Sequence, residues 1–287
     1  MNVIGVSCPG FCSVPFEEIL PKVSKEFRHW EIFSEVDHAV QGLAPGFAGV
    51  AAHAGMTFSI HASIADTDGA ALNLRMREAA VLEFMSEMEA ARDMGVDTLT
   101  VHPGITSLSV PDTRDRSIAA AKETMRVLDR AGREFGVTVC IENMPKLPVM
   151  LGTSASELAE IISGTDLSVC FDIGHAHTAG QVDAMIDVFG DRIANVHIHD
   201  NMGEKDEHLA IGEGTVDFAH AIGRLRGYSG RYIIESRDLE SAVRSRKALK
   251  GLLARVRTSR CQMDPASMGA STAPGPPRAG LLCGPCL

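Results

Sequence analysis

NVHIHDNMGEKDEHLAIGEGTVDF, residues 195–218, decides how the rest of the chain is read. It opens as a buried strand on Ile193, Val196 and Ile198, and closes on Gly212 and Gly214 ahead of a helix-like run from Phe218 to Leu225. Between them stand His197, His199, Asp200, Asp206 and His208. Imidazole and carboxylate groups this dense at a strand end form a ligand set for a divalent metal. Strand-end loops are also where function concentrates. A charged loop is more often only solvated, so the stretch gains weight from similar groups at other strand ends.

Working outward, short apolar strands run Val3 to Ser7, Trp30 to Phe33, Thr57 to His61, Thr98 to Val101, Val137 to Ile141, Leu167 to Phe171 and Arg231 to Ile234. Helices alternate with them. Pro15 starts the first, with Glu17 and Glu18 early and Lys22 and Lys25 late, which suits the helix dipole. The Gly- and Ala-rich segment from Val40 to Gly55 predicts a weak helix and a loop. Longer helices span about Ala70 to Met94, with Leu74, Val81, Met85 and Met88 at helical spacing, and Asp112 to Phe135. Thr153 caps the next. Ala179 to Phe189 and Leu239 to Leu253 follow. Strands that read as apolar throughout and alternate with helices imply a parallel sheet. Eight such units predict a single α/β domain over residues 1–254, a (β/α)8 TIM barrel. A doubly wound open sheet lacks support, because no GxGxxG follows the first strand.

From Arg255 the composition turns to Pro, Gly, Ser and Ala without periodicity, so residues 255–287 read as a disordered tail or a non-native extension. Cys283-Gly-Pro-Cys286 has the form of a redox CxxC but lacks the flanking strand and helix. Of seven cysteines, Cys140 and Cys170 sit in apolar strands as small hydrophobes, Cys8 and Cys12 lie near the start, and Cys261 joins the tail pair. This is no disulfide framework, so a reducing cytoplasm is expected. No apolar run approaches a membrane span, and no leader peptide is expected at MNVIGVSCPGF. A net charge of −10 and 5% aromatics argue against a broad nucleic-acid surface, although one basic groove can sit on an acidic protein.

The polar residues closing the strands are His61, His102, Glu142, Asp172 with His175, His197 with His199, Asp206 with His208, and Glu235. Barrel enzymes place their sites at this end. A ring of carboxylates there repels itself without a cation. Glu142, Asp172, His197 and Glu235 end the fifth to eighth strands and suit Mn²⁺, Zn²⁺, Mg²⁺ or Co²⁺. Such an ion polarises a carbonyl, and Glu142 and Glu235 can then remove and return a proton beside it. No organic cofactor is expected. His61, His102, His175, Asp206 and His208 are candidates for a second cluster, holding metal or substrate. Arg237 is a candidate phosphate contact, Lys146 a solvated base, and His199 a substrate contact or a support for the ligands.

With these motifs in place, HAS at His61, VHPG at His102, IEN at Glu142, FDIGH from Phe171, HIHDN from His197, DEHLAIGEG from Asp206 and IIES at Glu235, residues 1–254 resemble the xylose isomerase-like barrel superfamily. Its sugar isomerases and epimerases imply one divalent ion on Glu142, Asp172, His197 and Glu235, the two glutamates forming the acid/base pair, and a sugar or sugar phosphate as substrate. Its endonuclease IV branch implies a trinuclear zinc site on His61, His102, Glu142, Asp172, His175, His197, Asp206, His208 and Glu235, cutting abasic DNA. Met144-Pro145-Lys146 and Glu207 depart from that branch, which has a Gly-rich segment and an arginine there. The expectation is an isomerase or epimerase, with the phosphodiesterase as the alternative. The resemblance also implies a homo-oligomer.

Overall fold

A computed structural model of the chain describes residues 2–225 and 227–263. Its strands are β1 (Val3–Ser7), β2 (His29–Phe33), β3 (Thr57–His61), β4 (Thr98–Val101), β5 (Thr138–Glu142), β6 (Ser168–Asp172), β7 (Ile193–Ile198) and β8 (Arg231–Glu235). They close a barrel in chain order, each parallel to its neighbours, with β8 paired to β1. The helices around it are α1 (Phe16–Glu26), α2 (Val40–Leu43), α3 (Phe47–Ala54), α4 (Leu74–Met94), α5 (Arg114–Phe135), α6 (Ala155–Ile161), α7 (Ile173–Ala179), α8 (Val182–Phe189), α9 (Phe218–Arg224) and α10 (Leu239–Met263).

Several helix boundaries differ from the sequence reading; α4, for one, starts at Leu74 where about Ala70 is expected. Ser154, not Thr153, caps α6, its hydroxyl accepting from Glu157 N at 3.3 Å. The helix expected from Ala179 starts at Val182, and an unexpected helix, α7, precedes it, starting directly off β6 with the Asp172 carboxylate accepting from His175 N at 2.6 Å. The last helix continues to Met263. The tail reading beyond it, with Cys283 and Cys286, lies outside the described residues. Among the described residues no helix is long and apolar enough to cross a membrane.

The strands are not apolar throughout; they alternate. One face packs on the helices, where Trp30 stacks on Phe16 with centroids 5.0 Å apart and Phe58 meets Phe47 edge-on at 4.8 Å. Ile32, Ile60, Leu99, Ile141, Val196 and Ile234 belong to the same buried layer. The other face is a polar barrel interior. Asn195 Nδ2 donates across it to Glu31 at 2.8 Å and Thr100 at 3.2 Å, and Arg231 donates to Thr98 at 2.9 Å. Buried polar groups are tolerated when they pair, and closing the barrel brings distant strands into hydrogen-bonding reach. Gly5 leaves room for this filling, since a Cβ there would lie 2.7 Å from both His29 Cδ2 and Ile233 Cδ1.

Register then sets the site. β6 and β7 shift register between Val169 and Cys170, so that Asp172 pairs with His197, while Glu142 pairs with Cys170. The inward side chains at the C-terminal ends therefore meet over one mouth.

α4 buries Phe84, Glu87, Met88 and Ala91, while Leu74 at its start is exposed. Glu87 Oε1 accepts from Ser63 N at 2.8 Å, and its Oε2 has no partner. Burial pushes this carboxyl up to about 8. The unfolded chain ionises it near 4.5, so the unfolded state holds fewer protons between those values and stability falls as pH rises through them. Glu87→Gln is expected to melt close to wild type at pH 5 and well above it at pH 8.5, with a difference on the order of 4 kcal/mol. Equal wild-type and variant melting temperatures at the higher pH would contradict this.

Candidate metal centre

Glu142 is the hub. Its Oε1 lies 2.9 Å from His197 Nδ1, and its Oε2 lies 3.1 Å from His102 Nε2 and 3.3 Å from His61 Nε2. The same His197 nitrogen is 3.1 Å from Glu235 Oε1 and 4.0 Å from Asp172 Oδ2. Glu142, Asp172, His197 and Glu235 thus offer ligand atoms within 4.8 Å of one another, as do His61, His102 and Glu142. Further along the mouth, His175, His199, Asp206 and His208 form a separate group of the same kind. The second cluster expected from sequence is therefore divided. His61 ends β3 and His102 follows β4, and both gather on Glu142, whereas α7 and the loop after β7 carry the rest.

Proton positions follow from the partners. His61 Nδ1 faces the Ala62 carbonyl at 2.9 Å, and His175 Nδ1 faces the Asn143 carbonyl at 2.9 Å. His197 Nε2 faces Glu31 Oε1 at 2.7 Å. Carbonyls and ionised carboxylates only accept, so each of these nitrogens carries the proton. The opposite nitrogens then turn lone pairs toward Glu142, Asp206 and Glu235. Lone pairs and anions converging in a buried space require a cation between them, either a proton or a metal. Burial works against charge on these rings, yet the surrounding carboxylates hold His61 above its ordinary range and His175 and His197 well above it. Asp172 Oδ2, Glu235 Oε1, Asp206 Oδ1 and both ring nitrogens of His199 are buried with no hydrogen-bond partner. The residues fit divalent ions, whose histidine ligands are normally held by a hydrogen bond on the second nitrogen.

The loop carrying Asp206 and His208 is pinned at its base. Asp200 and Leu209 exchange backbone hydrogen bonds of 3.0 and 2.8 Å, and the Asp200 carboxylate accepts from Gly212 N at 2.8 Å and Val216 N at 3.1 Å. Asp200 thus organises the loop from below the ligand groups. His208 takes a left-handed backbone with φ 48°, uncommon outside glycine, and its Nε2 comes 3.2 Å from Asp206 Oδ2. Lys146 and Arg237 are exposed on the loops after β5 and β8.

Sequence reading passed over Glu31, Asn143 and Asn195. Glu31 is fully buried in β2, held by Ser59 Oγ at 2.6 Å and Asn195 Nδ2 at 2.8 Å. Although burial opposes its ionisation, His197 holds it down to about 2. Asn143 bridges β5 to β6, donating to Asp172 O and accepting from Asp172 N, both at 2.9 Å. The signal that could have found Glu31 is the period-two alternation of His29, Glu31 and Phe33.

The family model described as xylose isomerase-like TIM barrel matches residues 26–254, and the chain belongs to that family. Among sequence relatives it is 33% identical over 206 residues to the uncharacterized protein MJ1311 of Methanocaldococcus jannaschii, covering 68% of this chain and 69% of that one. It is 32% identical over 157 residues to a probable endonuclease 4 of Geobacillus, a match spanning 48% of this chain and 51% of the relative. Among solved structures, a D-tagatose 3-epimerase-like protein superposes with TM-score 0.84 at 28% identity, covering 91% of this chain and 100% of that one. Endonuclease IV from Thermus thermophilus shares the fold with TM-score 0.65 at 19% identity, covering 88% and 100%.

Proposed function

We propose that the chain is a divalent-metal-dependent isomerase or epimerase acting on a small sugar or sugar phosphate. The observation that carries this reading is the approach of two carboxylates, Glu142 from β5 and Glu235 from β8, to one nitrogen of His197, at 2.9 and 3.1 Å. An ion held by Glu142, Asp172, His197 and Glu235 would polarise a carbonyl and the hydroxyl beside it. Glu142 and Glu235 come from strands three apart and so reach a substrate from different sides. One takes the proton from the carbon next to the carbonyl, and the other returns a proton to the same or the adjacent carbon. The loops over the mouth carry Lys146, Lys205 and Arg237 against Glu35, Asp37, Asp66, Asp68, Glu204 and Glu207, a balance that suits a small substrate better than a polyphosphate duplex. The similarity to the D-tagatose 3-epimerase-like structure supports the same reading.

Protein loaded with Mn²⁺, Zn²⁺, Mg²⁺ or Co²⁺ and incubated with a panel of sugars and sugar phosphates in D₂O is expected to place deuterium on a carbon adjacent to the carbonyl. No exchange with any member of the panel would overturn the reading.

A second reading, zinc-dependent cleavage at abasic sites, is favoured by one observation: all nine positions of that trinuclear pattern fall into ligand groups in this fold. A labelled abasic duplex left whole by zinc-loaded protein would remove it.

A further inference from the structure

We propose that His199 is the fourth protein ligand of a second ion site, with His175, Asp206 and His208, and that this site is coordinatively full. Its ion cross-links α7 to the loop after β7 and takes no substrate. The inference rests on the divalent-metal reading of the mouth and not on which substrate is turned over.

Three observations carry it. The four residues offer ligand atoms within 4.8 Å of one another. Asp206 is the centre: its Oδ2 lies 3.3 Å from His175 Nε2 and 3.2 Å from His208 Nε2, and its Oδ1 lies 3.4 Å from His199 Nε2. Second, His199 is fully buried, yet neither ring nitrogen has a hydrogen-bond partner. A buried imidazole left so destabilises the fold unless something else coordinates it. Third, the ring has a fitted seat. It lies against the backbone of Gly174 so closely that a Cβ there would come to 2.5 Å from Nε2 and 2.6 Å from Nδ1. Gly174 therefore permits His199 to lie beside His175, in the middle of the motif that also provides Asp172.

Ligand type and number together assign the role. Imidazole-rich sets suit four-coordinate zinc, where four protein ligands close the site and reactive sites keep one position for water or substrate. The carboxylate-rich group of Glu142, Asp172, His197 and Glu235 suits a six-coordinate ion with positions left for substrate. His61, His102 and Glu142 offer three protein ligands and stay open. His175, His199, Asp206 and His208 offer four. The competing role for His199 is a plain contact to Asp172, whose Oδ1 lies 3.2 Å from Nε2.

Ion-stripped wild type, His199→Asn and Gly174→Ala are to be titrated with Zn²⁺, counted by elemental analysis, and titrated again with Co²⁺ while the visible spectrum is followed. Both variants are expected to bind one ion fewer per chain, or to bind that ion at least about 10-fold more weakly. The remaining ions keep wild-type affinity, and the Co²⁺ absorption of the lost ion disappears. Variants that match wild type in count, affinity and spectrum would overturn the proposal and leave His199 as a contact to Asp172. Histidine ¹⁵N spectra of zinc-loaded wild type need no variant: a His199 ring nitrogen unshifted by zinc would also overturn it. A wild type that binds no ion would overturn this proposal and the metal reading together, while absent sugar turnover would leave the ion count standing.

Discussion

Glu142→Gln is expected to lose ions from two ligand groups at once and to slow proton exchange by about 10²–10⁴-fold. Glu142 belongs both to the group with Asp172, His197 and Glu235 and to the group with His61 and His102. No other residue of the mouth is placed to serve both by its two oxygens, one 2.9 Å from His197 and the other 3.1 Å from His102. The amide replaces an oxygen by a donor that points at imidazole lone pairs, which neither binds an ion nor accepts a proton from carbon. The group of His175, His199, Asp206 and His208 does not contain Glu142, so its ion is expected to survive. Elemental analysis checks the first part and deuterium incorporation the second. A variant with wild-type ion content and exchange would contradict the assignment of Glu142 as both ligand and base.

Glu31→Gln is expected to weaken the ion at His197 by about 10–100-fold without removing a ligand. The carboxylate accepts a hydrogen bond from Nε2–H at 2.7 Å and leaves the Nδ1 lone pair to face Glu142 and Glu235. Ser59 and Asn195 hold it in place inside the barrel. Glutamine keeps the size and one acceptor but removes the charge, and its amide competes for the wrong tautomer of His197. Titration of the ion-stripped variant with Zn²⁺ measures the loss, and melting of the ion-free variant separates weakened binding from a damaged fold. Wild-type affinity in a folded variant would show that Glu31 only fills space.

How far the site was legible follows from how each residue reaches it. Glu142, Asp172, His197 and Glu235 stand at the last position of a strand or just before it, where an acid or imidazole ending an apolar run is visible in one dimension. His175 and His208 follow at short, fixed distances from Asp172 and Asp206. Glu31 was hidden because its partner His197 is 166 residues away, and β2 meets β7 only across the closed interior. The helix α7 was missed for a local reason: it starts on the residue after β6, with Asp172 serving at once as strand end and helix cap. His199 could be placed on the same face as His197 by strand parity, but not beside His175.

The sequence by itself determined the eight alternating units, the barrel they close and the residue types waiting at its mouth, because hydrophobic period and strand-end chemistry are properties of neighbouring residues. Only the tertiary structure decided which of those residues fall into one ligand group, that Glu142 joins two groups, that Glu31 faces His197 from below, and that Gly174 seats His199 beside Asp206. Each of these depends on barrel closure and on a register shift between β6 and β7, which bring atoms far apart in the chain to within a few ångströms. Residues 195–218 bring His197, His199, Asp206 and His208 to the mouth, and the strands around them set which atoms they face.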